Sequence, residues 1–293
     1  MKIISEICPV CHSRLTVGVL TWHFVCKQCR YECSNLEPTI NTHSSHELID
    51  EAAREAGLRD TRLSNYKKIL RSIKLLKPDG GRLLDVGCAH GWFLESAQND
   101  FNVMGLEPEK RAFDATTRRG LSVRFGYFPA ALDDEEKFDV IVFNDVIEHI
   151  PDMAKTLKSC HRFLATTGGL LVLNLPSSDG IFYKLSKLLC HFGFCGFFER
   201  LWQKDLPSPH LHYFNVDNLS YLLIDGNFEV KAKSQLSTVN LSGLYKRISY
   251  AGNLSTFAYK LVYVGVALGL PIIKFLPSDI ICIIAEKELR SVE

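Results

Sequence analysis

From residue 80 onward, short apolar runs alternate with stretches whose apolar residues recur every three or four positions. The runs are GRLLDVG, NVMGLE, LSVRF, FDVIVFND and GLLVLNLP, and helical patterns begin at Trp92, Pro108 and Pro151. This order predicts an α/β fold, a doubly wound, mostly parallel sheet with helices on both faces. After Pro176 the rhythm lapses for about 40 residues. It resumes with a helix over 216–223, a strand over 228–233 and a last strand over 280–286. The lapse, residues 177–214, reads as an inserted lid or substrate region.

Upstream, Leu63, Tyr66, Ile69, Leu70, Ile73 and Leu76 mark an amphipathic helix over 58–77. Its other face is basic, with seven Lys or Arg against one Asp, a local charge of +6. A solvated face and an anionic substrate or membrane surface both fit that charge. The polar stretch SNLEPTINTHSS predicts a linker, and Ser45 a helix start before residues 47–56. Three regions follow: a small module over 1–40, a helical linker over 41–78 and a main domain over 79–293.

Composition narrows the function. Lys and Arg number 34 against 33 Asp and Glu, a formal charge of +1. That balance gives no electrostatic hold on a polyanion and no strong nucleic-acid signal. No export signal is evident at the start, so a cytoplasmic location with reduced thiols is expected. Two CxxC knuckles, Cys8-Cys11 and Cys26-Cys29, are separated by fourteen residues, a spacing suited to a structural four-thiolate zinc site. The hairpin between them is too small for a core of its own, so metal would hold it. Cys33, His12 and His23 read as ordinary ribbon residues, and Cys190 and Cys195 as buried thiols.

LLDVGCAHG follows a strand and opens a helix, and twenty residues after Gly87 the second strand ends in Glu107. Such a loop lets a ligand approach the backbone, and the carboxylate can accept from ribose hydroxyls. The pattern resembles the class I S-adenosylmethionine-dependent methyltransferases over about residues 82–287. The resemblance implies a seven-stranded Rossmann-like sheet with S-adenosylmethionine as cofactor. It also implies that Asp85, Gly87, Cys88, Ala89 and Gly91 line the methionine and ribose side, with Glu107 on the ribose hydroxyls. Ala89 replaces the family's middle glycine, and Tyr127 or Phe128 stands where relatives place an acidic residue near the adenine. A dinucleotide site fits less well, because the loop lacks GxGxxG.

The fourth strand runs into Asn144, Asp145, Glu148 and His149 at its carboxyl end, where open α/β sheets bind ligands. In the resembled family Asn144 approaches the methionine portion. Asp145-x-x-Glu148-His149 is similar to the ExxEH of ubiquinone-pathway O-methyltransferases, which implies a divalent cation; bracing of the next helix is the other reading. His149 is the first candidate for a general base, with His210 and His212, in a segment similar to HLxxF, behind it. Residues 181–204 and the apolar segment 241–276 suit either peripheral membrane contact or packing as a lid and a homodimer contact. The expected function is therefore methyl transfer, with oxygen as the expected acceptor atom, on a small-molecule, glycan or lipid-linked acceptor. RNA methylation guided by the ribbon and a non-catalytic ribbon interaction protein are the alternatives.

Overall fold

A computed structural model describes residues 6–39, 51–238 and 275–288. The helical periodicity around Leu63–Leu76 becomes one continuous helix, α1 (Glu51–Leu76), that passes through Gly57. The apolar runs become β4 (Arg82–Val86), β5 (Asn102–Glu107), β6 (Val123–Phe125), β7 (Val140–Asn144) and β8 (Leu170–Pro176). Between them lie α2 (Trp92–Ala97), α3 (Lys110–Arg118) and α4 (Met153–Phe163), and the last elements are α7 (Val216–Asp225), β10 (Phe228–Leu236) and β11 (Ile280–Lys287).

The strands form one seven-stranded sheet in the order β10-β11-β8-β7-β4-β5-β6. β8, β7, β4, β5 and β6 run parallel, while β11 is antiparallel to both β8 and β10. Helices cover both faces, so the central strands have no solvent side; this is why Leu170 through Leu175 are all buried and read as an apolar run interrupted only by Asn174. Local chemistry sets the helix starts. Asp152 caps α4 by accepting from Lys155 N at 2.9 Å, and Asn215 and Asn218 form a reciprocal capping box on α7.

A second, smaller sheet holds β1 (Leu15–Val17), β2 (His23–Cys26), β3 (Glu32–Ser34) and β9 (His212–Tyr213). The first three are the ribbon. The fourth comes from the insert, antiparallel to β3, with Glu32 opposite Tyr213 and Cys33 opposite His212. The ribbon is thus annealed to the main domain rather than hung from it. A buried network reinforces the joint: Glu32 accepts from His23 Nε2 (2.6 Å), from the Tyr183 hydroxyl (2.8 Å) and from Lys187 Nζ (2.7 Å). Trp22, Phe198 and Trp202 pack around it.

The insert folds into α5 (Ile181–His191) and α6 (Gly196–Leu201). One expectation is overturned here. Cys190 and Cys195 are joined in a disulfide instead of standing as reduced thiols, because the turn between the two helices brings their Cα atoms to 4.1 Å. Phe192, Phe194 and Phe197 at this turn are exposed. Among the described residues no helix is long and apolar enough to cross a membrane. The linker over 41–50 and the apolar segment 241–276, up to residue 274, lie outside the described residues.

Candidate active site and zinc centre

The four ribbon cysteines converge. Cys8 and Cys29 sulfurs lie 3.5 Å apart, Cys11 and Cys26 sulfurs 3.4 Å apart, and all four fall within 4.8 Å of one another. Four sulfurs about 2.3 Å from a tetrahedral zinc would stand roughly 3.8 Å apart, so the cluster fits that ion with little adjustment. The two knuckles are built alike. His12 N donates to Cys8 O and Arg30 N to Cys26 O, and His12 and Arg30 both adopt positive φ, +58° and +60°. Val10 N donates to Cys8 Sγ at 3.4 Å, the backbone support a thiolate needs. His23 is committed to Glu32, and Cys33 stays outside the cluster.

Between β4 and α2, the loop 87–91 turns with three left-handed residues: Gly87 (φ +69°), Ala89 (+42°) and Gly91 (+68°). A Cβ on Gly87 would meet Val146 Cγ2 at 2.6 Å, so glycine is required there for space as well as for conformation. Glu107, buried at the end of β5, holds the loop in place, accepting from Ala89 N at 2.7 Å and from Glu109 N at 2.8 Å. Burial raises its pKa against the pull of those two amides. Cys88 does not face this space: its sulfur sits where Gly105 leaves room on β5, and burial pushes its thiol far up. Its side chain is therefore packing, contrary to a role in lining the cofactor.

At the carboxyl ends of the central strands a polar ladder crosses the sheet. Asn174 Nδ2 donates to Asn144 Oδ1 and Asn144 Nδ2 to Asp85 Oδ1, each at 3.2 Å. Asp85 is buried and its pKa is pushed up to about 7, by desolvation first and by the Glu107 charge, against the Asn144 hydrogen bond. Asn174 carried no sequence signal, since one Asn inside an apolar run looks like noise until register places it beside Asn144. Next to the ladder a cavity of about 110 Å³ is lined by Thr61, Arg62, Asn65 and Tyr66 of α1 together with Asp145 and Asn174. Of the aromatic pair, Phe128 turns inward against Phe143 and Phe163, leaving Tyr127 the exposed one at that edge.

The acidic group after β7 is arranged differently from its sequence reading. Asp145, at φ +54°, forms an ion pair with Arg62 of α1 at 3.0 Å, which takes it away from Glu148 and His149. Its place is filled from the insert. Glu148 Oε1 lies 3.9 Å from His149 Nε2 and 4.0 Å from His210 Nε2, and the two imidazole centroids are 4.7 Å apart. Glu148 is fully buried, and neither of its oxygens has a hydrogen-bond partner among the described residues. Burial, then the charge of Asp145, drives its pKa well above the carboxylate range. His149 Nδ1 donates to Pro209 O at 2.8 Å, so Nε2 carries the lone pair. Gln203 donates to His210 Nε2 at 2.9 Å, which keeps that nitrogen unprotonated. His212, by contrast, is committed on both nitrogens, to the Tyr31 hydroxyl and to Ile150 O, and burial lowers its pKa to about 4. It is a strut and not a base.

The sequence profile of the methyltransferase domain family matches residues 40–233. The chain belongs to this family. It is 26% identical over 124 residues to the ubiquinone biosynthesis O-methyltransferase of Rhodopseudomonas palustris strain TIE-1, covering 40% of this chain and 48% of that one. With its counterpart from Pseudomonas aeruginosa UCBPP-PA14 it shares 33% over 103 residues, covering 32% and 44%. The chain thus spans about half the length of the curated relatives it matches. Among solved structures, a SAM-dependent methyltransferase from Thermotoga maritima aligns over 84% of this chain and 100% of that one, with a TM-score of 0.54 and 18% identity.

Proposed function

We propose that this methyltransferase moves a methyl group from S-adenosylmethionine to an oxygen of a small-molecule, glycan or lipid-linked acceptor, and that a structural zinc ion holds its ribbon. The observation that carries the cofactor half is the buried Glu107 carboxylate, fastened to the glycine loop through Ala89 N and set at the carboxyl end of β5. Each of its oxygens spends one lone pair on a backbone amide and keeps another for a ribose hydroxyl. Asp85, tied to Asn144, offers a carboxylate toward the cofactor's amino group. Exposed Tyr127 supplies an aromatic face at the adenine edge.

The sulfonium supplies an activated methyl when bound, so the chain's main task is alignment. A hydroxyl acceptor must also lose its proton. His149 Nε2, beside Glu148, carries a lone pair that can take that proton, whereas the His210 Nε2 lone pair is held by Gln203 and becomes available only when that amide turns away. The same donor set, two imidazoles and one carboxylate, fits a divalent cation, which would neutralise Glu148 and acidify an acceptor hydroxyl. The two unpartnered Glu148 oxygens favour that second reading.

The test is transfer of labelled methyl from S-adenosylmethionine into an extract of cells lacking the protein, followed by partition of the label. Label in the lipid or soluble fraction is expected. Label released by ribonuclease would overturn the acceptor class, and S-adenosylhomocysteine binding without transfer to any fraction would make the chain a binding module.

A further inference from the structure

The segment Pro209–His212 is bonded along both edges. On one edge lies the ribbon: Ser34 Oγ donates to His210 O (2.7 Å), Ser34 N to Leu211 O (3.0 Å), and the Tyr31 hydroxyl meets His212 Nδ1. On the other edge lies the turn after β7, where His149 Nδ1 donates to Pro209 O (2.8 Å), Leu211 N to Glu148 O (2.8 Å) and His212 Nε2 to Ile150 O (2.9 Å). His210 is held toward Glu148 by this clamp between β3 and the turn, together with bonds from the end of α6, His210 N to Trp202 O (2.9 Å) and Gln203 Nε2 to its imidazole (2.9 Å). The cofactor loop is braced elsewhere. Gly87 N and Cys88 N bond to Leu106 O, Ala89 N to Glu107, and Ala89 O and His90 O to Thr116 and Arg119.

The ribbon's strands are three or four residues long and cannot fold on their own apolar content. Tyr31 follows directly on the second knuckle, Cys26 to Arg30, and Cys26 N bonds to Tyr31 O. Whatever fixes the four sulfurs fixes Tyr31 and Ser34 as well.

We propose that the ribbon is a positioning element of the acceptor side: metal on Cys8, Cys11, Cys26 and Cys29 holds Tyr31 and Ser34, which hold His210 and His212 against the Glu148–Ile150 turn, without bearing on the cofactor loop. This inference rests on the zinc reading above. It divides the molecule into two halves that respond differently to metal.

Hydrogen exchange read by mass spectrometry tests it without knowledge of the acceptor. The full-length chain is first analysed for zinc, then compared before and after removal of the metal with a mercurial and a chelator. Amides of residues 209–214 are expected to exchange at least about tenfold faster once metal is gone. Amides of 83–107 should be unchanged, and S-adenosylhomocysteine affinity should hold within about twofold. Because metal-free ribbon can unfold wholesale, Tyr31→Phe supplies a second arm: zinc content stays near one per chain, the His212 imidazole resonances shift, and exchange at 209–214 rises while that at 83–107 does not. Zinc present at the outset, with 209–214 equally protected after its removal, overturns the clamp alone. Loss of protection across 83–107 as well overturns the division into halves. Zinc absent from freshly purified, reduced protein overturns the zinc reading and the clamp with it.

Discussion

Asp85 offers a prediction that can be worked from the structure. Its carboxyl is buried, its one described side-chain partner is the Asn144 amide, and its pKa stands at about 7 instead of the usual 3.8. If the ionised form is the one that receives the cofactor's amino group, the pH dependence of affinity follows. The ionised fraction is about 90% at pH 8 and about 10% at pH 6, so S-adenosylhomocysteine should bind close to tenfold more weakly at pH 6, roughly 1.4 kcal/mol. Stability has the opposite sign. The folded pKa lies above the unfolded one, so the ligand-free protein loses stability as pH rises from about 4 to 7, by on the order of 4 kcal/mol in full. Asp85→Asn keeps the size and the bond to Asn144 while removing the charge. The variant should melt higher than wild type at pH 8 and bind S-adenosylhomocysteine more weakly, with no slope between pH 6 and 8. Calorimetry in two buffers of different ionisation enthalpy should show up to one proton released on wild-type binding at pH 6. Wild-type affinity that is flat from pH 6 to 8, or a slope that survives in Asp85→Asn, would refute the reasoning.

Three further outcomes are expected. Ala89 holds φ +42°, which costs an L-residue about 1–2 kcal/mol, so Ala89→Gly should stabilise the fold by roughly 0.5–1 kcal/mol after glycine's extra unfolded entropy is counted; a lower melting temperature in calorimetry would contradict this. For Glu32, burial alone would raise the pKa, but the hydrogen bond from His23 and the charge of Lys187 hold it below the carboxylate norm. Its stabilisation is therefore complete above the unfolded value near 4.5 and lost as pH falls through the folded one. Glu32→Ala should cost about 3–5 kcal/mol in denaturant unfolding at pH 7, and the difference from wild type should shrink as the pH falls below 4.5. Zinc-loaded protein titrated with cobalt should take one further ion, with weak visible bands and no sulfur charge transfer, and His210→Ala should abolish that uptake. Absence of a second equivalent in wild type leaves the histidines as proton acceptors alone.

The fold was legible because each level of the sequence agreed with the next. Apolar runs without alternation fitted strands covered on both faces, and most were followed by a helical pattern, with a start signal such as Asp152 before α4. What escaped was the ribbon's attachment. Nothing in Glu32-Cys33-Ser34 announces that its edge will be completed by a two-residue strand nearly 180 positions away. The disulfide escaped for a related reason: a reducing compartment was inferred for the whole chain, whereas the α5–α6 turn brings Cys190 and Cys195 together locally.

The site shows the same division more sharply. Glu107, Gly87 and Gly91 could be found because their function is local: a loop and the next strand in sequence must meet in any βαβ unit. The acidic group after β7 could not be completed in this way. Spacing offered Asp145 as the third member, yet Asp145 sits at positive φ, and α1 brings Arg62 to it at 3.0 Å. An unpaired carboxylate beside buried Glu148 would raise the cost of both charges, so pairing Asp145 with a guanidinium is the cheaper arrangement. The vacancy is taken by His210, which contributes a neutral donor and no second negative charge. That choice adds a second imidazole to the one His149 supplies, in place of a second carboxylate, and so suits the proposed proton transfer or a borderline cation better than magnesium. It also makes the group dependent on the insert and, through Ser34 and Tyr31, on the ribbon. A substitution far from the sheet, in a segment whose sequence suggested only a metal-held appendage, can therefore alter the chemistry at the end of β7 while the cofactor loop remains as it was.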